Sequence, residues 1–107
     1  MPRVGGDPQA ASRELNMDQI ERAKQRERVE AERLRRVVIS ALEQANEQVR
    51  KDPDAAIRTL ETTLATVQES PLDRDLTVPL VRQLESRMKV YRQDRKRREI
   101  EQIERDR

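Results

Sequence analysis

Five positive charges lie within seven residues near the end of this 107-residue chain. Such a cluster could contact phosphate, because affinity for a nucleic-acid backbone grows with the number of counterions that basic side chains displace. However, acidic residues interrupt and follow the run, and the single aromatic residue of the chain offers no platform for stacking bases. We therefore expect a solvated, self-compensating face, with phosphate or partner contact as the alternative. The basic run consists of Arg92, Arg95, Lys96, Arg97 and Arg98.

Clustered carboxylates are the second group of residues that could do chemistry. Glu27, Glu30 and Glu32 lie close together in the sequence, and so do Asp73 and Asp75. Carboxylates act as general acids and bases only in a pocket that shifts their pKa values. These carboxylates have arginine neighbours that favour the ionised form, and no glycine-containing calcium loop surrounds them. We assign no catalytic, cofactor-binding or metal-binding residue.

Composition removes most of the usual catalytic groups. The chain has no His and no Cys, which excludes an imidazole base, a thiolate nucleophile and a cysteine-ligated zinc site. Its only glycines, Gly5 and Gly6, are adjacent and cannot form the glycine-rich loops that cradle phosphates. The sequence therefore predicts a protein that is not an enzyme and needs no cofactor.

Charge is abundant but unevenly distributed. Charged residues make up 41% of the chain, with 23 basic and 21 acidic groups and a net charge of +2. Residues 52–77 carry six acidic and two basic groups, whereas residues 78–107 carry ten basic and six acidic groups. An acidic middle and a basic end could steer self-association or docking to another protein.

No apolar run approaches the ~18–20 residues that a membrane span requires. The first residues also lack the apolar segment of a secretory signal, so we expect none in the chain as given. The sequence does not predict a cellular compartment.

Glycine and proline separate a leader from a first long helix. Residues 1–11 contain both glycines and two prolines without apolar periodicity, which predicts a disordered leader. Residues 12–51 contain neither glycine nor proline and consist mostly of good helix formers. The pattern predicts one helix over this whole stretch.

Two further helices follow. Asp52 can cap the second helix and Pro53 suits its first position. Ser70 and Pro71 end that helix. A loop or a short turn of helix over residues 72–76 then leads to Thr77, which we expect to cap a third helix that reaches the end of the chain.

Apolar residues recur every three or four positions in part of each helix, as on one face of an amphipathic helix. We expect the three faces to meet in an all-α, up-down-up bundle whose core lies in residues 34–91. Tyr91 should close this core with its hydroxyl group at the solvent. The predicted core residues are Leu34, Val37, Val38, Ala41, Leu42, Ala45, Val49, Ile57, Leu60, Leu64, Val67, Leu80, Val81, Leu84, Met88 and Tyr91.

Two charged helical extensions remain outside the core: the N-terminal arm (residues 13–33) and the C-terminal arm (residues 92–107). Because the first and third helices run parallel in such a bundle, the arms leave from opposite ends. Acidic and basic residues four positions apart can support a solvated helix. The pairs predicted in this way are Asp18–Arg22, Glu32–Arg36, Glu47–Lys51, Glu85–Lys89 and Glu101–Arg105.

Each arm carries an incomplete, coiled-coil-like apolar seam. Charges occupy half of the inward positions, so neither seam can form a stable coiled coil by itself. We expect a homodimer through the first or third helix that weakens at high salt. The predicted seams are Ile20, Ala23, Glu27, Glu30 and Leu34 in the first helix, and Tyr91, Arg95 and Arg98 in the third, with Ile100 and Ile103 slightly off register.

The segment from Ala41 to Val67 resembles one helical hairpin of the tetratricopeptide type, with two helices joined at Asp52-Pro53-Asp54. The aromatic and glycine positions that fix that repeat are missing, and no second copy occurs. The stretches DPDAAIRTLETTLATVQESP and LVRQLESRM are also similar to helical modules of large bacterial envelope and secretion-apparatus proteins, including secretin-like ones. These resemblances imply a helical module of a larger bacterial protein and supply no functional residues.

The sequence therefore favours a non-catalytic helical interaction or scaffold module that acts through helix–helix association with a protein partner or with itself. The alternative is a nucleic-acid-associated helical protein that uses the basic run.

Overall fold

The chain forms three helices that bury one shared core. The computed structural model describes the backbone from Pro8 and the side chains from Asn16 onward. The helices are α1 (Pro8–Gln48), α2 (Pro53–Gln68) and α3 (Arg74–Asp106). No β-strand occurs in this described part of the chain. The prediction of an all-α bundle of three helices is confirmed.

The boundaries of α1 differ from the predicted ones at both ends. The helix begins at Pro8, inside the predicted leader, and a proline suits a first helical position because its missing N–H would have no partner there. The remainder of the leader, residues 1–7, lies outside the described residues. The helix ends at Gln48, whose carbonyl accepts from the backbone N–H groups of Lys51 and Asp52 at 3.0 and 2.8 Å. These bonds turn the chain towards α2.

The start of α2 follows the predicted capping chemistry. The Oδ1 atom of Asp52 accepts a hydrogen bond from the backbone N–H of Ala55 at 3.1 Å. Pro53 occupies the first position, and Asp54 places a negative charge in the first turn, near the positive end of the helix dipole. This short motif therefore sets the point at which the chain reverses direction.

The prediction that Thr77 caps α3 is wrong. The helix begins at Arg74, and Thr77 is a buried residue of its first turns. Its hydroxyl is satisfied within the helix, since Oγ1 donates to the carbonyl of Arg74 at 3.4 Å. Asp75 supplies the favourable negative charge of the first turn. Pro79 lies on the exposed side of the helix, where a carbonyl that loses its donor can face solvent.

The core occupies the predicted part of each helix. Most of the predicted residues are buried, and Val37, Leu42, Val49, Leu64 and Val81 are partly buried. The small residues Ala31, Ala56, Thr63 and Thr77 are buried as well, although their weak hydrophobicity did not mark them in the sequence. The residues that form the buried cluster are Leu34, Val38, Ala41, Ala45, Ala56, Ile57, Leu60, Val67, Leu80, Leu84, Met88 and Tyr91.

Helix α2 packs extensively against both α1 and α3, which contact each other much less. The longer helices extend beyond it at opposite ends, and the molecule is accordingly elongated, with extents of 100 × 19 × 14 Å. Among the described helices, none is long and apolar enough to cross a membrane.

The prediction that the hydroxyl group of Tyr91 lies at the solvent is wrong. The side chain is only 4% exposed, and its oxygen is buried without a hydrogen-bond partner among the described residues. In the next turns of α3, Arg95 contacts Asp54 at the start of α2, and Arg98 contacts the carbonyl of Val49 after the end of α1, so contacts between the helices continue beyond Tyr91. Tyr91 is therefore an interior residue and not the rim of the core.

We expect Leu60→Ala or Leu84→Ala to lower the free energy of unfolding by about 2–5 kcal/mol, because each removes a fully buried side chain and leaves a cavity. Replacing the exposed Glu101 or Arg105 with Ala should change it by no more than about 0.5 kcal/mol. Urea denaturation followed by circular dichroism measures both. Equal losses at the two kinds of site would contradict the placement of the core.

We expect Tyr91→Phe to maintain or raise the free energy of unfolding. An unpaired buried hydroxyl carries a desolvation cost of about 1–3 kcal/mol, and phenylalanine keeps the ring in place without it. Tyr91→Ala is the contrasting variant and should lose about 3–5 kcal/mol, as buried aromatic truncations do. A clear loss of stability in Tyr91→Phe would show that the hydroxyl has a stabilising partner.

Candidate interaction surfaces

Three arginines of the basic run hold α3 against the other helices. Arg92 contacts Glu61 of α2 at 3.1 Å, and Arg95 contacts Asp54 of α2 at 2.7 Å. Arg98 donates a hydrogen bond from Nη1 to the carbonyl of Val49, just beyond the end of α1, at 3.4 Å. Their three-residue spacing places the three arginines on successive turns of one side of α3, and Arg95 and Arg98 continue the core stripe beyond Tyr91. We call these contacts the arginine clamp.

The arginine clamp also explains why the run is basic at this point. Its targets are carboxylates at the start and middle of α2 and a carbonyl next to the negative end of α1. A cation is favourable at the C-terminal end of a helix dipole. The hydrogen bond from Arg95 to Asp54 raises the pKa of Arg95 above its ordinary value. The acidic middle and the basic end of the sequence therefore meet within one molecule.

Arg97 and Lys96, the two members of the basic run outside the arginine clamp, differ in whether they have an acidic partner. Arg97 and Arg98 form ion pairs with Asp94, which lies one turn before them on α3. Lys96 is exposed and forms no ion pair within the described part of the chain. Four of the five basic side chains thus have an acidic or carbonyl partner inside the molecule, and any contact with phosphate would compete with these partners.

Two of the three carboxylates of the N-terminal cluster form ion pairs with arginines along α1. Arg33 donates two hydrogen bonds to Glu30, from Nε to Oε2 at 3.1 Å and from Nη2 to Oε1 at 2.7 Å. This pairing lowers the pKa of Glu30 and raises that of Arg33. Glu32 contacts Arg36 at 3.5 Å, and Glu27 is exposed.

The second carboxylate cluster of the sequence, Asp73 and Asp75, also forms no metal-binding site among the described residues. Asp73 and Asp75 are exposed at the start of α3. Across the described residues, no three carboxylates come close enough together to hold a metal ion. One surface groove is lined by six polar side chains of α1 alone, between Asp18 and Arg28. A groove along one helix encloses too little of a small ligand to resemble the usual concave site.

The apolar stripe of α1 continues from the core into the N-terminal arm without a change of register. Going back from Leu34, steps of alternately three and four residues reach Ala31, Glu27, Lys24, Ile20 and Met17. Such spacing is the heptad pattern of helices that pack side by side. Ala31 is buried beside the start of α3, whereas Ile20 and Met17 are 53% and 61% exposed. This set of inward positions, from Met17 to Ala31, is here named the arm face.

The arm face corrects the seam that the sequence pattern suggested. That seam passed through Ala23 and Glu30, but Glu30 is only half-buried and Ala23 is exposed, whereas Ala31 belongs to the buried stripe. Both readings agree at Ile20, Glu27 and Leu34. They differ because steps of three or four residues are equally compatible with a helix, and only packing against α3 selects between them.

The C-terminal arm has no comparable apolar face. Its inward positions after Tyr91 are Arg95, Arg98, Gln102 and Arg105. Ile100 and Ile103 are exposed and lie well away from these positions rather than slightly off register, because each residue turns a helix by about 100°. The two arms are therefore different kinds of surface.

Few of the predicted acid–base pairs form along the helices. Of the five, the structure contains Glu32–Arg36 within 4 Å, and the other four are absent from the described residues. The pair of Glu47 with Lys51 fails because α1 ends before Lys51. Exposed side chains gain little from fixed pairing, since the Coulomb energy is offset by lost rotamer freedom.

Comparison of the chain with protein-family models, with curated proteins and with solved structures found no match. The resemblances to a tetratricopeptide hairpin and to secretin-like modules stay hypotheses.

We expect Arg95→Gln to lower the thermal unfolding midpoint more than Lys96→Gln does. The first change removes the ion pair of the arginine clamp with Asp54, whereas the second removes an exposed charge with no ion-pair partner among the described residues. Circular dichroism melting in low salt measures the difference, which should shrink in high salt because the ion pair is screened. Equal midpoints for the two variants in low salt would contradict the clamp.

Proposed function

We propose that this protein is a non-catalytic helical interaction module and that the arm face is its binding surface. The observation that supports the proposal is the continuity of the α1 stripe. The positions that α2 and α3 cover at Leu34 and Val38 are left uncovered at Ile20 and Met17, in the same helix and the same register. A helix that presents an unpaired heptad face is suited to receive another helix.

Burial of the apolar residues of the arm face would favour binding, but the charged residues between them also need partners. Complete burial of a side chain such as Ile or Met is worth about 1.5–3 kcal/mol. Lys24 and Glu27 lie between the apolar positions, and a charge removed from water is costly unless it is paired. A partner helix must therefore combine apolar residues with charges opposite to these two.

The same charges limit association with unsuitable partners. Polar residues at inward heptad positions reduce the stability of a coiled coil but specify its register and its partner. With Lys24 and Glu27 at such positions, an all-apolar helix would leave both groups unpaired. The arm face thus combines weak attraction with selectivity, as expected of a scaffold element.

Nucleic-acid association through the basic run is the alternative function. The internal partners of Arg92, Arg95, Arg97 and Arg98 weigh against it, because only Lys96 of the run is without one in the described structure. Retention of the protein on a heparin matrix at moderate salt, lost in Lys96→Glu, would favour this alternative. Absence of retention would exclude it.

We expect wild-type protein to self-associate with increasing concentration, and Ile20→Lys to abolish that association. The matched control is Val29→Lys, because Val29 is 59% exposed, close to the 53% of Ile20, but lies on the opposite side of α1. Sedimentation equilibrium in low and high salt measures both variants, and association should weaken in high salt. Equal effects of the two substitutions, or a strict monomer in wild type, would contradict the role of the arm face.

A further inference from the structure

We infer that the arm face binds the same face of a second copy in antiparallel orientation, with Lys24 of each copy opposite Glu27 of the other. This inference rests on the proposed function and adds to it the identity and the register of the partner. Complementary charge within the arm face selects this arrangement over other occupants.

The register follows from the spacing of the arm face about a midpoint between Gln25 and Arg26. A two-fold axis through that point brings Lys24 opposite Glu27 of the second copy. The same operation brings Ile20 to the groove that the buried Ala31 lines in the second copy, so apolar residues lie on either side of the paired charges. The arm face has two sets of positions seven residues apart, one with Met17, Lys24 and Ala31 and one with Ile20 and Glu27. In this orientation each residue of one set faces a position of the other set.

A parallel pairing in register would be unfavourable. It would place Lys24 against Lys24 and Glu27 against Glu27 at the centre of the contact. Like charges juxtaposed in an interface cost several kcal/mol. Antiparallel pairing converts both repulsions into attractions and leaves no charge on the arm face without a counter-charge.

The C-terminal arm cannot provide the same self-complementarity. Its inward positions include Arg95, Arg98 and Arg105 and no acidic residue. The first two already contact Asp54 and the carbonyl of Val49 within one molecule. A second copy of this surface would oppose cations with cations, so the two-fold contact belongs to α1.

The start of α3 limits the length of the contact. Leu76 borders a groove together with Lys24, Glu27 and Ala31, so the arm face ends where α3 begins. Direct pairing therefore spans Ile20 to Ala31, about 18 Å at 1.5 Å per residue. Ile20 of the second copy would come beside Leu76 and add an apolar contact. Such a short contact gives a weak dimer that requires high protein concentration to form.

A two-fold contact of this kind also closes on itself. Each copy uses its single arm face, and no second equivalent surface remains to extend the assembly. We therefore expect dimers and not filaments.

Charge reversal tests the register. Lys24→Glu and Glu27→Lys should each raise the dissociation constant at least about tenfold, because each sets like charges opposite each other. The double variant Lys24→Glu/Glu27→Lys restores opposite charges and should return to within about threefold of wild type. Sedimentation equilibrium measures the constants, and circular dichroism of each variant verifies its helix content. Arg22→Glu, on the far side of α1, is the charge control and should leave the constant unchanged.

Disulfide cross-linking tests the orientation, and the absence of native cysteine makes it unambiguous. Lys24→Cys and Glu27→Cys proteins, whose substituted positions are both exposed, should form a disulfide-linked dimer when mixed and oxidised. Ile20→Cys alone should not, because antiparallel copies place the two thiols about 16 Å apart along the axis, beyond the reach of a disulfide.

The outcomes separate this inference from the proposed function. Cross-linking of Ile20→Cys alone, or a double charge variant as weak as the single ones, would overturn the antiparallel register. If Ile20→Lys still abolished association in that case, the arm face would stand as a binding surface. A wild-type protein that is monomeric at every concentration would overturn both.

Discussion

The packing of α2 against both neighbouring helices is the contact on which the rest of the structure depends. Leu60 at its centre is fully buried, and it joins Leu34 and Val38 of α1 to Leu84 of α3 in one cluster. Since α1 and α3 contact each other only sparsely, each long helix is held chiefly through α2. The core has an aliphatic interior with a single ring, so its stability derives from close packing of small and branched side chains rather than from large buried aromatics. The arginine clamp adds charged contacts at one end of the same interface.

Local sequence signals predicted the features that depend on neighbours along the chain. The three- and four-residue spacing of apolar residues located the core, and Asp52 with Pro53 marked the start of α2. The sequence signals failed where two helix starts compete. Thr77 is a good capping residue, but it is buried and Leu76 is partly buried, and the helix begins earlier, at Arg74. Burial of alanines such as Ala31 and Ala56 was not predictable, because small residues fit both the surface and a close helix contact.

The surfaces were harder to predict because their partners are distant in sequence. Nothing near Arg92 or Arg95 in the chain indicates that Glu61 and Asp54 will lie beside them, so the basic run looked like a solvated or phosphate-binding face. The three-dimensional arrangement assigns most of it to the arginine clamp. The heptad of the N-terminal arm was predicted only in part: the predicted seam included Ile20 and Glu27 but passed through the apolar Ala23 instead of the charged Lys24. Both surfaces required the position of α3 to be known.

The arm face and the core share one unbroken 41-residue helix, and that continuity has a consequence for how the chain can vary. No hinge between Ala31 and Leu34 allows the arm to rotate independently, so its direction is set by the phase of the helix. One residue inserted there would turn the arm face by about 100° relative to the bundle, whereas seven would nearly restore it. Length changes in this stretch are therefore tolerated only in steps that preserve the phase. Substitutions on the outer side of the arm are free of that constraint.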